Sequence, residues 1–316
     1  MSVPKGDDAS RGWVRPPWPS RIRFAGHAVL CGIPVGFLSA GSLPRIPDHP
    51  ESPTRIAVPK RDVLGIRAAN PGPFTLSGTN SWLIGRGPTW LVDPGPDLAE
   101  HMAAIDEEIG QRGGLGGIAL THDHLDHAGA LATLRERHPQ APVAAARGEA
   151  DVLLAGGSVV GPLEVVFTPG HARDHLAFIA GAAAFTGDAV LGEGSVFVAP
   201  YPGAMRAYLD GIARLRRHEL EVLCPGHGPL VSDPTAKLDQ YVAHRLEREE
   251  RLVAALAAGR RRVDELLDEV WADALAELRF AAGVTLAAHL DKLEEEGRLP
   301  EGVERPRVDG LSWADG

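Results

Sequence analysis

His122, His124, Asp126 and His127, four groups that can bind a metal, fall within six residues of the chain. Side chains of this kind, crowded into one short segment, repel one another unless something positive joins them. His122 and His124, two residues apart, can converge on one ion from a loop at a strand end. Asp126 and His127, at the turn into a following helix, can point to a second. Imidazole and carboxylate are ligands that Zn²⁺ accepts, with Fe²⁺ or Mn²⁺ as alternatives. The chemistry these residues offer is metal coordination.

A loop of this kind needs a strand before it and a helix after it. Gly117-Ile118-Ala119-Leu120 supplies the strand, and Ala128 to His138 reads as the helix. Upstream, the apolar runs Ser81–Ile84 and Thr89–Val92 flank Gly85-Arg86-Gly87-Pro88, a hairpin signal. Asp97 is expected to cap a helix reaching about Arg112. Further strands are expected at 142–146, 163–167, 176–180, 183–186 and 221–224, which with the helices imply a sheet-rich α/β core with helices outside. Ser232-Asp233-Pro234 opens a long helix, with a capping acid and a first-turn proline. Leu238, Tyr241, Val242, Leu246, Leu252, Val253 and Leu256 form its apolar face, and Gly259 closes it. Helices over 263–271, 272–282 and 284–296 follow, the last stopped by Gly297.

The chain has 316 residues, 44% of them hydrophobic and 23% charged, which excludes wholesale disorder. Cys31 and Cys224 are too few for a disulfide framework and point to a reducing, cytoplasmic setting. A formal charge of −10 argues against indiscriminate nucleic-acid binding. The charge is uneven: net +3 over residues 1–55, −6 over 56–245 and −7 over 246–316. The first stretch is rich in proline and supports no periodic element, so it reads as a disordered tail. Its apolar run Phe24–Gly41 faintly resembles a secretory signal. His27, Pro34 and four glycines inside the run speak against that, as do Asp7 and Asp8 before it. Nor does any segment reach the roughly 20 apolar residues of a membrane span.

His122-x-His124-x-Asp126-His127 resembles the signature of the metallo-β-lactamase superfamily, and other expected positions follow in order. They are Asp93 in Leu91-Val92-Asp93-Pro94-Gly95, His171 in Thr168-Pro169-Gly170-His171, Asp188 in Phe185-Thr186-Gly187-Asp188 and His227 in Pro225-Gly226-His227-Gly228. The resemblance implies an α/β fold, a four-layered αββα sandwich with metals at one edge. It puts His122, His124 and His171 on one ion, Asp126, His127 and His227 on a second, and Asp188 between them. Asp93 would orient a ligand imidazole through its free N–H. The implied cofactors are two divalent ions, Zn²⁺ first. Coordination would bring the pKa of a bridging water from 15.7 to about 7, giving a hydroxide nucleophile for metal-assisted hydrolysis.

Outside the ligands, Asn70-Pro71-Gly72-Pro73-Phe74-Thr75-Leu76, Gly170-His171-Ala172-Arg173-Asp174-His175 and Gln240-Tyr241-Val242-Ala243-His244-Arg245 resemble the beta-lactamase-like-protein-2 group. So does the C-terminal stretch, with Ala287-Ala288-His289-Leu290, which looks like a winged-helix-like appendage. This gives a tail over 1–55, a catalytic domain over 56–245 and a helical module over 246–316. The group implies a phosphodiesterase cutting single-stranded RNA as the first reading. A thioester or acyl-carrier hydrolase, like glyoxalase II or polyketide thioesterases, is the alternative. Asp126, Asp188 and His175 are the expected catalytic residues. Asp174 and His175 are candidates to touch substrate or to support the metal ligands, Thr79 and Asn80 to line the pocket mouth, His244 and Arg245 for a substrate-phosphate contact, and Arg260-Arg261-Arg262 for RNA phosphates. Aromatic residues at 5% leave little for base stacking, which weakens the RNA reading.

Overall fold

A computed structural model describes residues 53–308. The sequence expectations for the N-terminal tail, including the apolar run Phe24–Gly41 and Cys31, therefore lie almost wholly outside the described residues. The first sheet has seven strands in sequence order: β1 (Thr54–Ala57), β2 (Val63–Arg67), β3 (Asn80–Ile84), β4 (Thr89–Val92), β5 (Leu115–Ala119), β6 (Val143–Ala145) and β7 (Val152–Leu153). β1 to β4 pair antiparallel and β4 to β7 parallel. The second sheet contains β8 (Val159–Val160), β9 (Leu163–Phe167), β10 (Leu176–Ala180), β11 (Ala183–Gly187) and β12 (Val222–Pro225), with β12 parallel to β11.

Period-two alternation builds the layers. Trp82, Val92, Ala119, Phe178 and Phe185 point inward and fill the space between the sheets. Their neighbours Leu83, Leu91 and Ile118 point outward against Met102, Ile105 and Ile109 of α1 (Ala99–Gln111) and Leu134 of α3 (Leu131–Arg137). On the other face, Ala177, Ile179 and Ala184 meet Met205, Tyr208 and Ile212 of α4 (Ala204–Leu215) and Leu238 and Tyr241 of α5 (Pro234–Ala257). Helix, sheet, sheet, helix is the αββα sandwich that the resemblance implied.

Several local expectations need correction. Asp97 does not cap α1. Leu98 holds the N-cap position, and the Asp97 carboxylate instead accepts from Thr133 Oγ1 at 3.0 Å. The helix expected over 128–138 forms as α3, beginning at Leu131, and a separate short helix, α2 (Leu125–Ala128), precedes it. Asp233 does cap α5, accepting from Ala236 N at 3.0 Å with Pro234 at the first turn. The helix expected over 272–282 is absent. Only a 3₁₀ turn, Ala276–Leu278, precedes α7 (Arg279–Glu295), which runs unbroken through the expected start near Val284.

The expected division at 245/246 falls inside α5. Its first half packs on the second sheet, while Leu252, Ala255 and Leu256 join α6 (Val263–Val270) and α7 around Leu266, Leu286 and Leu290. One helix therefore belongs to both the sandwich and the C-terminal module. Among the described residues of that module there is no strand, so no β-hairpin wing is seen. No helix of the described residues is long and apolar enough to cross a membrane.

α1 also fixes the turn after β4. His101 Nε2 sits 3.2 Å from the Pro94 carbonyl and 3.0 Å from Ser81 Oγ. Burial pulls its pKa down to about 4, against the hydrogen bond to Pro94. A depressed imidazole stabilises the fold fully above about pH 6.5 and loses that contribution as pH falls towards 4. We therefore expect urea unfolding to show a loss on the order of 3 kcal/mol across that window that His101→Gln lacks. Equal slopes for the two proteins would contradict it.

Candidate metal centre

The ends of five strands converge on one edge of the sandwich. β4 leads to Asp93, β5 to the segment 121–127, β9 to 168–175, β11 to Asp188 and β12 to His227. Asp93 adopts a left-handed backbone, φ +54°, a conformation aspartate tolerates better than most residues. This turns its carboxylate across to the neighbouring loop. Oδ1 accepts from Thr121 N and Oδ2 from Thr121 Oγ1, both at 2.7 Å, and Oδ2 also lies 2.9 Å from His127 Nδ1. The strand-end acid thus orients an imidazole, as the resemblance implied.

That network fixes how the rings are turned. Thr121 Oγ1 gives its own proton to Asp93, so it accepts from His122 Nδ1 at 2.9 Å. His127 Nδ1 donates to Asp93. His171 Nδ1 and His227 Nδ1 face the carbonyls of Phe197 and Gly78, each at 3.4 Å. In all four rings Nδ1 is the nitrogen engaged by the surroundings, which leaves Nε2 to act as a metal ligand, and all four turn it towards the same small space. Nε2 of His122 and of His171 approach His124 Nδ1 to 3.0 and 3.1 Å, and Nε2 of His127 and His227 are 3.2 Å apart.

Two carboxylates complete the cluster. Asp188 Oδ1 stands 3.3 Å from His127 Nε2 and 3.4 Å from His227 Nε2, while Oδ2 is 3.5 Å from His171 Nε2. Asp126 Oδ2 is 3.2 Å from His227 Nε2. Oδ1 of each carboxylate is buried without a hydrogen-bond partner. Such atoms are costly to bury unless a cation compensates them. Burial alone would raise the pKa of Asp188, but His227 and His127 hold it well below the carboxylate range. Burial would lower His227, yet Asp188 and Asp126 push it up to about 9. His171, where burial prevails, drops to about 3. The cluster demands positive charge at its centre, and this donor set fits divalent ions. The nitrogens of His122, His124 and His171 lie within 4.8 Å of one another, as do the donor atoms of Asp126, His127 and His227, and those of His122, His127 and Asp188.

Close packing is part of the construction. A Cβ on Gly226 would stand 2.6 Å from His127 Cε1 and 2.8 Å from Asp188 Oδ1, so only glycine lets the β12 loop approach. His175, expected to be catalytic, is wholly buried and has both ring nitrogens engaged. Nε2 accepts from the Asp188 backbone N–H at 3.0 Å, and Nδ1 faces Thr168 Oγ1 at 2.9 Å. No nitrogen is left for substrate, so the structure makes it a support for Asp188. Thr79 and Asn80 are also buried. Asn80 Nδ2 donates to the carbonyls of Pro225 and Gly228, bracing the His227 loop. Asp174 is tied to Arg147 at 2.6 Å. Thr121 and Thr168, which set ring tautomers, went unnoticed in the sequence because lone threonines carry no signal.

A cavity of about 380 Å³ opens onto Asp126, His171 and Asp188 and runs to the C-terminal module. Phe74, Leu191, Val196, Phe197, Trp271 and Leu278 wall it, and His244, Arg245 and Arg248 line it from α5. Trp271 and Arg248 had no motif to announce them.

Residues 74–151 match the family model of the metallo-beta-lactamase superfamily. The chain belongs to this superfamily of metal-dependent hydrolases, and the fold implies divalent ions at the cluster. The atrochrysone carboxyl ACP thioesterase of Passalora fulva is 30% identical over 81% of this chain and 80% of its own length. The beta-lactamase-like protein 2 homolog of Caenorhabditis elegans is 28% identical over 80% of this chain and 90% of its own. A beta-lactamase domain protein from Burkholderia ambifaria shares the fold, with a TM-score of 0.65 at 21% identity, covering 84% of this chain and 94% of that one.

Because Asp93 fixes both Thr121 and His127, Asp93→Ala is expected to weaken metal affinity roughly 10–100-fold in a competition titration with a chromophoric chelator. Unchanged affinity would show that the ring needs no such support.

Proposed function

We propose that the protein hydrolyses acyl thioesters, with His122, His124 and His171 holding one divalent ion, Asp126, His127 and His227 a second, and Asp188 reaching both. Zn²⁺ is the first choice of metal, given the preponderance of imidazole. Ions bound there would supply the Lewis acidity that makes water a nucleophile at neutral pH and offsets charge developing on the attacked oxygen. The protein's own part is positioning. Asp93 and Thr121 fix the rings of His127 and His122, and His175 holds the Asp188 backbone. Leu191, Val196 and Phe197 keep water from the acyl chain beside the cluster. The net reaction consumes one water and releases a carboxylic acid and a thiol. Cys224, a buried free thiol, suits the reducing cytoplasmic setting expected of the chain.

The observation that carries this reading is the apolar cavity adjoining Asp126 and Asp188. An acyl chain is at home there, whereas a polyanionic strand needs free cations along its path. The three arginines of the 260–262 run are otherwise employed. Arg260 pairs with Glu269 and Arg262 with Asp264, and Arg261 donates to the Leu256 and Arg260 carbonyls. Relatives named as atrochrysone carboxyl ACP thioesterases support the same choice, at 30% and 32% identity. The C-terminal helices, on this view, are a wall of the acyl cavity, not an RNA-binding appendage.

The test offers the Zn²⁺-loaded protein a set of acyl N-acetylcysteamine thioesters and, separately, end-labelled single-stranded RNA. Thioester hydrolysis that falls at least roughly 10²-fold in Asp188→Ala is the expected result. RNA cleavage with the same dependence on Asp188, and no thioester turnover, would overturn the proposal in favour of the phosphodiesterase.

A further inference from the structure

Three arginines are buried among the described residues: Arg112, Arg245 and Arg248, at 5%, 2% and 6% exposure. Two of them are neutralised by the chain. Arg112 pairs with Glu108 at 2.8 Å and with Asp62 at 3.0 Å. Arg248 forks onto both oxygens of Asp273, at 2.6 and 2.7 Å, and donates to the Val270 carbonyl. Arg245, on the same helix as Arg248 and nearly one turn earlier, has no carboxylate within ion-pair distance among the described residues. It donates to the Val196 carbonyl and lies over the Tyr208 ring, 5.2 Å from its centre. Its Nε–H is buried without a partner.

A guanidinium carries five N–H donors and does not lose its proton in a protein, so burial without an anion is unfavourable. Its neighbours do not relieve it. Burial first, then the charges of Arg245 and Arg248, bring the pKa of His244 down to about 4, which leaves that imidazole neutral. Arg245 nevertheless lines the same cavity as Asp126, His171 and Asp188. A molecule seated there meets the hydrolytic cluster and the unpaired cation together.

We propose that Arg245 anchors a carboxylate carried on the acyl part of the substrate, so that the preferred thioesters are acidic ones; this rests on the thioester reading above. A planar carboxylate matches the guanidinium fork, and the apolar walls leave Arg245 as the cavity's one cation without a carboxylate among the described residues. The scissile carbonyl lies at the Asp126–Asp188 end, and the acidic end of the acyl group reaches α5.

Binding tests this independently of turnover. The Zn²⁺-loaded full-length protein is titrated calorimetrically with α,ω-dicarboxylates of four to seven carbons and with the matching monocarboxylates. Both series can place one carboxylate at the metals, so their difference reports the second. One dicarboxylate is expected to bind roughly tenfold or more tightly than its monocarboxylate partner. Arg245→Met should erase that ratio, and Arg245→Lys should restore part of it. Equal affinities in the wild type, or a preference that survives Arg245→Met, overturn the proposal. Should Arg245→Met fail to fold, the wild-type ratio and its reduction in Arg245→Lys still decide. A preserved dicarboxylate preference without thioester turnover would reject the thioester reading and leave the anchor standing.

Discussion

Lone pairs pointed at one another are the condition to which the rest of this molecule answers. Four imidazoles turn Nδ1 to fixed acceptors and so present Nε2 to a common space that also contains Asp126 and Asp188. Protons can satisfy such an arrangement only in part, since burial keeps His122 and His171 neutral. Divalent cations satisfy the rest. Each surrounding feature, from the left-handed turn at Asp93 to the bare backbone of Gly226, keeps those groups close together against their own repulsion.

The sandwich makes this possible by separating stability from chemistry. Alternating residues of β3, β4, β10 and β11 pack both faces of each sheet, so the strands are held along their whole length. Their ends then have no packing duty and can bear polar side chains. Five strands delivering residues to one edge allow groups more than a hundred positions apart in the chain, Asp93 and His227, to share a network. α5 adds the second half of the site. Anchored on the sandwich by Leu238 and Tyr241, it continues into the C-terminal cluster and lays Arg245 and Arg248 along the cavity between.

What could be read from the sequence was whatever local chemistry dictates. The density of ligands between His122 and His127 was legible because no other role accounts for it, and Asp233-Pro234 because capping is a contact within one turn. Asp97 looked like the same signal but was claimed by Thr133, 36 residues away, a competition invisible to local pattern. The helix expected over 272–282 gave way to a 3₁₀ turn running into α7, although its composition favours helix. His175 was picked out by its place in the Gly170–His175 motif, yet its partners are Thr168, across the β9–β10 hairpin, and the Asp188 backbone at the end of β11. Arg245 was singled out beside His244 for a phosphate contact, but its burial, and its lack of the carboxylate that Arg248 has, show only in the fold.

The most direct test of the account is the metal content of the purified chain, read by plasma mass spectrometry against amino-acid analysis after dialysis in buffer with added Zn²⁺. Two divalent ions per chain in the wild type, falling to one or none in Asp188→Ala, is the predicted result. Metal bound below one ion per chain, or a ratio unchanged when Asp188 is removed, would contradict it: the cluster would then be satisfying its lone pairs with protons alone.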